Sequence, residues 1–228
     1  MPPSSLDALM LSGQVALWSL LVSGPLAVVA AGWMSQRRWA DHPLLDSLIL
    51  LPVGLPPVVV GFLLWSALSA HSAGGELLHE WTGWTLRLIP DGAVLVASVM
   101  VTPMMIRMLR PAFEAQCPEL LAAVRTLGAS PWQAWWSAWW RPRWPAVASA
   151  WALGFAAAWG ESGATIMLAT LLPDATHAAT VPLTLWRESP SNAWPLATCA
   201  VAVAMVAVGV SEWARRQWRT QPTRAHRP

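Results

Sequence analysis

The chain contains no lysine; its fourteen basic residues are all arginine. A P-loop needs a lysine beside the terminal phosphates of its nucleotide, so an ordinary P-loop ATPase is excluded. Schiff-base chemistry is excluded with it. Charge is scarce as well, at 11% of 228 residues, too little to cover the outside of a soluble domain of this length. There are two cysteines, Cys117 in an arginine-flanked loop and Cys199 inside an apolar block. They give neither a disulfide framework nor metal-ligand spacing, and no metal site is expected. Residues 1–13 lack the positive segment that opens a cleaved signal peptide, so the first apolar block is expected to remain in the mature protein.

What is present is apolar: 55% of residues are hydrophobic and the mean hydropathy is +0.44. These residues come in blocks close to the roughly 20 residues a helix needs to cross a bilayer. The blocks predict an all-α integral membrane fold, one transmembrane domain over residues 1–228, with about five spans at 12–34, 44–68, 92–109, 144–168 and 193–213. Arg37 and Arg38 follow the first span. Arg107, Arg110, Arg125, Arg141 and Arg143 lie between the third and fourth, and Arg215, Arg216, Arg219, Arg224 and Arg227 follow the fifth. Only Arg87 and Arg187 fall on the other side. The positive-inside rule then sets the N-terminus outside and the C-terminus in the cytoplasm, which an odd number of spans satisfies. Because the arginines flank apolar blocks, the net charge of +2 is no sign of a nucleic-acid partner. Many of the 18 tryptophans sit near span ends, as interfacial aromatics do.

Two connecting segments carry detail. The outer one, 69–91, holds His71, Glu76, His79, Glu80 and Asp91, which reads as a solvated polar loop, since no ligand spacing is matched. The cytoplasmic one, 110–143, reads as helix, glycine turn, helix. Leu120, Leu121, Val124 and Leu127 recur at helical spacing with Glu119, Arg125 and Thr126 elsewhere, and Gly128 permits the turn. Trp132, Trp135, Trp136, Trp139 and Trp140 then mark one face of a second helix, expected to lie along the inner interface. Periodicity leaves two readings open: a membrane-hugging connector, or a docking element for a cytosolic partner.

The run Leu121-Ala122-Ala123-Val124-Arg125-Thr126-Leu127-Gly128-Ala129-Ser130 resembles the EAA loop of importer-type ABC permeases. The family's Glu or Gln, six residues before the glycine, is Ala122 here, with Glu119 nearby and out of register. The segment 44–61, with Leu55-Pro56-Pro57-Val58-Val59 at its centre, is similar to the second span of molybdate permeases. Gly160-Glu161-Ser162-Gly163-Ala164-Thr165-Ile166 resembles their Gly-Glu-Phe-Gly-Ala-Thr-Ile segment, and Thr180-Val181-Pro182-Leu183 also fits. Sulfate permeases share a related Gly-Glu-x-Gly segment, so sulfate, and with it tungstate, stays an alternative to molybdate. The resemblance implies Glu119, Ala122, Ala123, Arg125, Thr126, Gly128, Ala129 and Ser130 as the loop coupled to an ATPase. It further implies two copies of the chain, two ATP-binding subunits holding the ATP and magnesium, and a periplasmic oxyanion-binding protein. The setting is a bacterial inner membrane. No cofactor and no catalysis are expected in this chain.

Physically, Pro52, Pro56 and Pro57 are expected to break the second span, with Gly54 and Gly61 admitting neighbouring helices. Backbone unwound at that depth is tolerated where it lines a cavity. The candidate pathway therefore comprises Pro52, Gly54, Pro56, Pro57, Gly61, Gly160, Glu161, Ser162, Gly163 and Thr165. A carboxylate repels an oxyanion, so Glu161 is expected to cap backbone or pair within a dimer, leaving Ser162 and Thr165 as hydroxyl donors to the path. An intramembrane enzyme would need a catalytic constellation within the spans, yet all five histidines lie outside them. A stand-alone carrier would be expected to carry an inverted repeat.

Overall fold

The computed structural model describes residues 5–35, 43–69, 72–83, 89–115, 118–161 and 190–219. All regular structure among them is helical. Helix α1 (Ser5–Met34) precedes a pair of short helices, α2 (Pro43–Gly54) and α3 (Pro57–Leu68), and then α4 (Ala73–Thr82). The long α5 (Ile89–Glu114) leads to α6 (Pro118–Thr126) and α7 (Pro131–Ala134). The latter continues through a π turn (Trp135–Trp140) and a 3-10 turn (Arg141–Arg143) into α8 (Trp144–Gly160). Helix α9 (Pro190–Arg219) ends the described chain.

Helices α1 and α5 form the centre. The face α1 turns inward is a stripe of small residues, with Ala8, Ser12, Ala16, Ser19, Ser23, Ala27 and Ala31 all buried. Small residues let backbones come close, the favoured way to join helices where lipid is as apolar as leucine. The serines also cross-link the pair. Ser19 Oγ donates to the Val94 carbonyl at 3.1 Å, and Ser23 Oγ to that of Ser98 at 3.2 Å. Helix α8 packs on α1 and α5. Two glycines admit it. A Cβ at Gly24 would meet the Trp151 ring at 2.5 Å, and one at Gly154 would meet Met105 Sδ at 2.8 Å. Helix α9 packs mainly on α8, joined by Ser211 Oγ donating to the Ser149 carbonyl at 2.9 Å. In the most apolar stretch of α5, 56% of residues are buried, against 11% in α9. One helix is therefore core, and the other presents most of its apolar surface outward.

Among the described residues, three helices are long and apolar enough to cross a bilayer: Leu6–Met34, Gly92–Glu114 and Trp194–Gln217. The bent pair makes a fourth if taken as one span. Of the expected fourth span, 144–168, the described part is α8, which ends at Gly160, where Glu161 turns extended (φ −68, ψ 117). Residues 162–168 lie outside the described residues. The third span is longer than its apolar block, because α5 runs on through Arg110 and Pro111 to Glu114.

The segment 69–91 is also corrected from a plain loop, since α4 occupies its middle. Ser72 caps that helix, its Oγ accepting from the Gly75 N–H, and Gly83 ends it in the left-handed region at φ 70. The turn from α3 is tight, so a Cβ at Gly75 would run into the Ser69 carbonyl oxygen. His71 and Asp91, counted with that loop, carry no described side chain.

Candidate functional site

Several helix ends converge near the last turns of α5. Asp46 near the start of α2, Met34 at the end of α1, and Arg107 and Arg110 near the end of α5 line one recess of about 180 Å³. Arg110 Nη1 donates to Asp46 Oδ1 at 2.5 Å, and Arg110 Nε to Glu114. The ion pair fixes the first half of the broken pair to the last turns of α5. Two carboxylates already offset its charge, so this recess is a strut rather than an oxyanion seat. Arg110→Gln should cost about 1–3 kcal/mol, because it leaves two carboxylates without their cation. Asp46→Asn retains an acceptor and should cost about 1 kcal/mol or less, the pair being part exposed. Thermal unfolding in detergent reads the difference; equal losses would show that Arg110 acts through Asp46 alone and that its bond to Glu114 adds nothing.

Beyond α5 the chain folds back as the elbow, and its local chemistry is complete. At the end of α6, the Gly128 N–H donates to the Arg125 carbonyl (3.0 Å) and the Ala129 N–H to that of Val124 (3.3 Å). This pair of bonds is a Schellman stop, which requires a left-handed residue. Gly128 supplies it at φ 85. Two residues later a new helix starts with a capping box. Ser130 Oγ accepts from the Gln133 N–H, and Gln133 Oε1 accepts from the Ser130 N–H. Pro131 stands at the first turn, where its missing N–H costs nothing. Stop, hinge and start occupy Gly128 to Pro131, a short and directionally fixed elbow.

The predicted coupling residues fall on it. Ala122, Ala123, Arg125 and Thr126 are exposed on α6, and Ala129 and Ser130 follow the hinge. Thr126 Oγ1 donates to the Ala123 carbonyl at 2.8 Å. Glu119 is in the first turn of α6, with its side chain outside the described residues. Leu127, at the tip, is 86% exposed. At the membrane end, Phe113 of α5 is fully buried and the Arg143 guanidinium sits over its ring at 5.7 Å. Burial lowers the Arg143 pKa from its ordinary value, though arginine stays charged in proteins.

The tryptophan face is present in altered form. The second helix does not end before the span: it runs into α8, and its centre is a π turn in which the Arg141 N–H donates to the Trp136 carbonyl. In an α-helix, Trp135 and Trp140 would sit about 140° apart. The wider turn instead brings them into a stack, with centroids 6.1 Å apart and planes 12° apart. Pro142 and Pro145 lack the N–H groups an unbroken α-helix would use, and the π and 3-10 turns fall just there.

The expected break in the second apolar block is present. Helices α2 and α3 meet at 102°. The break is at Leu55-Pro56, with Pro57 in the first turn of α3. Pro52 is corrected from helix breaker to a residue inside α2. Among the described residues, a Cβ at Gly54 would meet nothing within 4 Å. Gly61 is buried in α3. A Cβ at Gly160 would likewise meet nothing within 4 Å among the described residues. Glu161 lies at the C-terminal end of α8 rather than within a helix, its N–H donating to the Ala158 carbonyl at 3.3 Å. Ser162, Gly163 and Thr165 lie outside the described residues. The extensive contacts of α2 and α3 are with α5, α4 and each other, whereas α8 packs on α1, α5 and α9. A larger groove of about 530 Å³ between α1, α8 and α9 is lined by Leu20, Trp151, Phe155, Val203 and Val206 among other apolar residues, and suits hydrocarbon rather than an oxyanion. Sequence reasoning missed Gly24, Gly154 and the serine links, although the small-residue spacing of α1 would have disclosed that face.

Residues 23–216 match the family described as binding-protein-dependent transport system inner membrane component. The chain is 35% identical to the molybdenum transport system permease protein ModB of Escherichia coli (strain K12) over 215 residues, 92% of this chain and 93% of that one. It is 31% identical to the sulfate transport system permease protein CysT of the same organism over 149 residues, 65% of this chain and 53% of that one. In fold it is similar to a chain of a bacterial ABC transporter that imports the polysaccharide alginate, with a TM-score of 0.62 at 16% identity, covering 96% of this chain and 80% of that one.

Proposed function

Because the chain belongs to the family of binding-protein-dependent transport system inner membrane components, we propose that it is the permease subunit of an ATP-driven importer of molybdate. The observation that carries the reading is the elbow. A Schellman stop at Gly128 and a capping box at Ser130 stand where the resemblance sets the loop coupled to an ATPase. A rigid, exposed elbow joined directly to α8 transmits a push from outside the bundle into a span. The gathering of Arg107, Arg110, Arg125 and Arg141 near one end of the bundle supports a cytoplasmic placing of that end. Two copies would enclose the path, two ATPase subunits would drive it, and a periplasmic binding protein would deliver the anion.

Molybdate is favoured over sulfate by extent: likeness to the molybdenum permease spans 92% of this chain, and to the sulfate permease 65%. The bent pair at Leu55-Pro56 is the candidate for backbone lining the path, and Glu161, at the end of α8, is assigned to backbone capping or pairing. The assembled complex in proteoliposomes, given each oxyanion with its binding protein, should hydrolyse ATP faster with molybdate than with sulfate. The reverse order would transfer the assignment to sulfate. Glu161→Gln should lower complex yield or turnover while keeping that preference; a changed molybdate-to-sulfate ratio would show that Glu161 meets the substrate.

A further inference from the structure

From Leu120 to Gly160 the sequence has no carboxylate, yet it holds Arg125, Arg141 and Arg143. Arg143 is buried against Phe113, which leaves Arg125 and Arg141 exposed. Between those two lie indoles that the fold leaves uncovered: Trp132 is 68% exposed, Trp136 49% and Trp135 37%. They form one surface. Trp132 stacks on Trp135 at 5.0 Å and on Trp136 at 6.4 Å, and Trp140 lies 6.1 Å from Trp135 and 6.5 Å from Trp136. The capping box satisfies the polar groups at the start of this helix internally, so the exposed surface there is aromatic, and the exposed Arg141 follows Trp140 directly in the chain.

We propose that this tryptophan stack, with Arg141, is a binding surface for an anionic phospholipid of the leaflet at the arginine-rich end of the bundle. The charge is one-sided and positive, and the rings are large and apolar with a polar N–H edge, the combination that settles at headgroup level. The position agrees. The stack joins the elbow to α8, and Trp140 lies about 6 Å along the helix from the first residue of α8. A headgroup layer is roughly 5–7 Å deep on each side of the hydrocarbon. The π turn has a role here. It draws Trp140 and Trp135, the two edges of an α-helical face, into a stack, so the rings close into one platform. The bound lipid would then brace the helix through which the elbow moves α8. This deepens the proposed function and rests on it only for the placing of that end of the bundle at the inner leaflet.

The test uses the complex purified with its ATPase subunits from a mixture of phosphatidylglycerol and phosphatidylcholine, without nucleotide or oxyanion. Retained lipid is measured by native mass spectrometry. The wild-type complex should retain phosphatidylglycerol preferentially, and Arg141→Gln or the pair Trp132→Ala with Trp136→Ala should lose about fivefold of it. Arg141→Lys should keep it. Wild-type complex that retains both lipids equally, or variants that retain as much phosphatidylglycerol as wild type, would overturn the proposal. Loss of the ATPase subunits with lipid retention unchanged would assign the stack to that protein instead. Transport is not read, so a wrong substrate assignment leaves the result interpretable.

Discussion

Replacing Gly128 with valine is expected to abolish ATP-driven uptake while the chain still inserts and folds. The cause is conformational. The hinge sits at φ 85, and a Cβ there would meet nothing within 4 Å, so no clash is involved. What valine cannot do is adopt the left-handed region cheaply: the cost is about 1–2 kcal/mol, more for a branched side chain. That lowers the population of the native hinge by a factor of about 5–30. The Schellman bonds of Gly128 and Ala129 are lost with it, and α6 would leave the elbow in another direction. A substitution series separates strain from bulk. Asparagine visits the left-handed region more readily than alanine, and alanine more readily than valine, so uptake should fall in the order Gly128→Asn, Ala, Val. An order set by side-chain size instead, with Asn worse than Ala, would mean that a partner surface closes on the glycine and that crowding is the cause. Wild-type uptake by the valine variant would remove the elbow from the mechanism.

The second large effect concerns stability. Gly24→Ala should destabilise the bundle by about 1–3 kcal/mol, an overpacking cost. The added methyl would sit 2.5 Å from Trp151 Cζ2 and 2.6 Å from Cε2, and a bulky indole ring gives way less readily than a flexible chain. Gly154→Ala is the control. Its nearest neighbour is Met105 Sδ at 2.8 Å, and a methionine can change rotamer, so the loss should be smaller. Trp151→Leu should recover much of what Gly24→Ala loses, since it removes the ring that the methyl strikes. Midpoints of thermal unfolding in detergent, with the double variant included, decide it. A double variant no better than the sum of the singles would show that the two residues do not meet.

Much of the elbow was legible along the chain. The Schellman stop, the capping box and the proline start lie within a few residues of Gly128, and their bonds are local, so residue types at fixed offsets specify them. The proline break after Leu55 is local in the same sense. The reading failed where an outcome depended on what lay opposite. Gly54 and Gly24 are both glycines in apolar helices, and nothing in their own neighbourhoods tells which of them meets a tryptophan far along the chain. Pro52 and Pro56 likewise differ only in their next neighbours: two more helical residues after Pro52, a second proline after Pro56. The tryptophan face was read with an α-helical period, and the π turn changed the period, so the face survived with a different register.

The sequence by itself determined that this is an apolar helical chain without lysine, arginine-rich at one set of helix ends, with a glycine-hinged elbow between its third and fourth apolar blocks. Those are matters of composition and of contacts between near neighbours, which the chain carries wherever it goes. The tertiary structure alone decided that α1 and α5 form the core while α9 lies outermost, that Arg110 holds Asp46, and that the second apolar block turns through 102°. These outcomes depend on which distant faces fit together, and helix packing is a competition among many pairings that no single segment encodes.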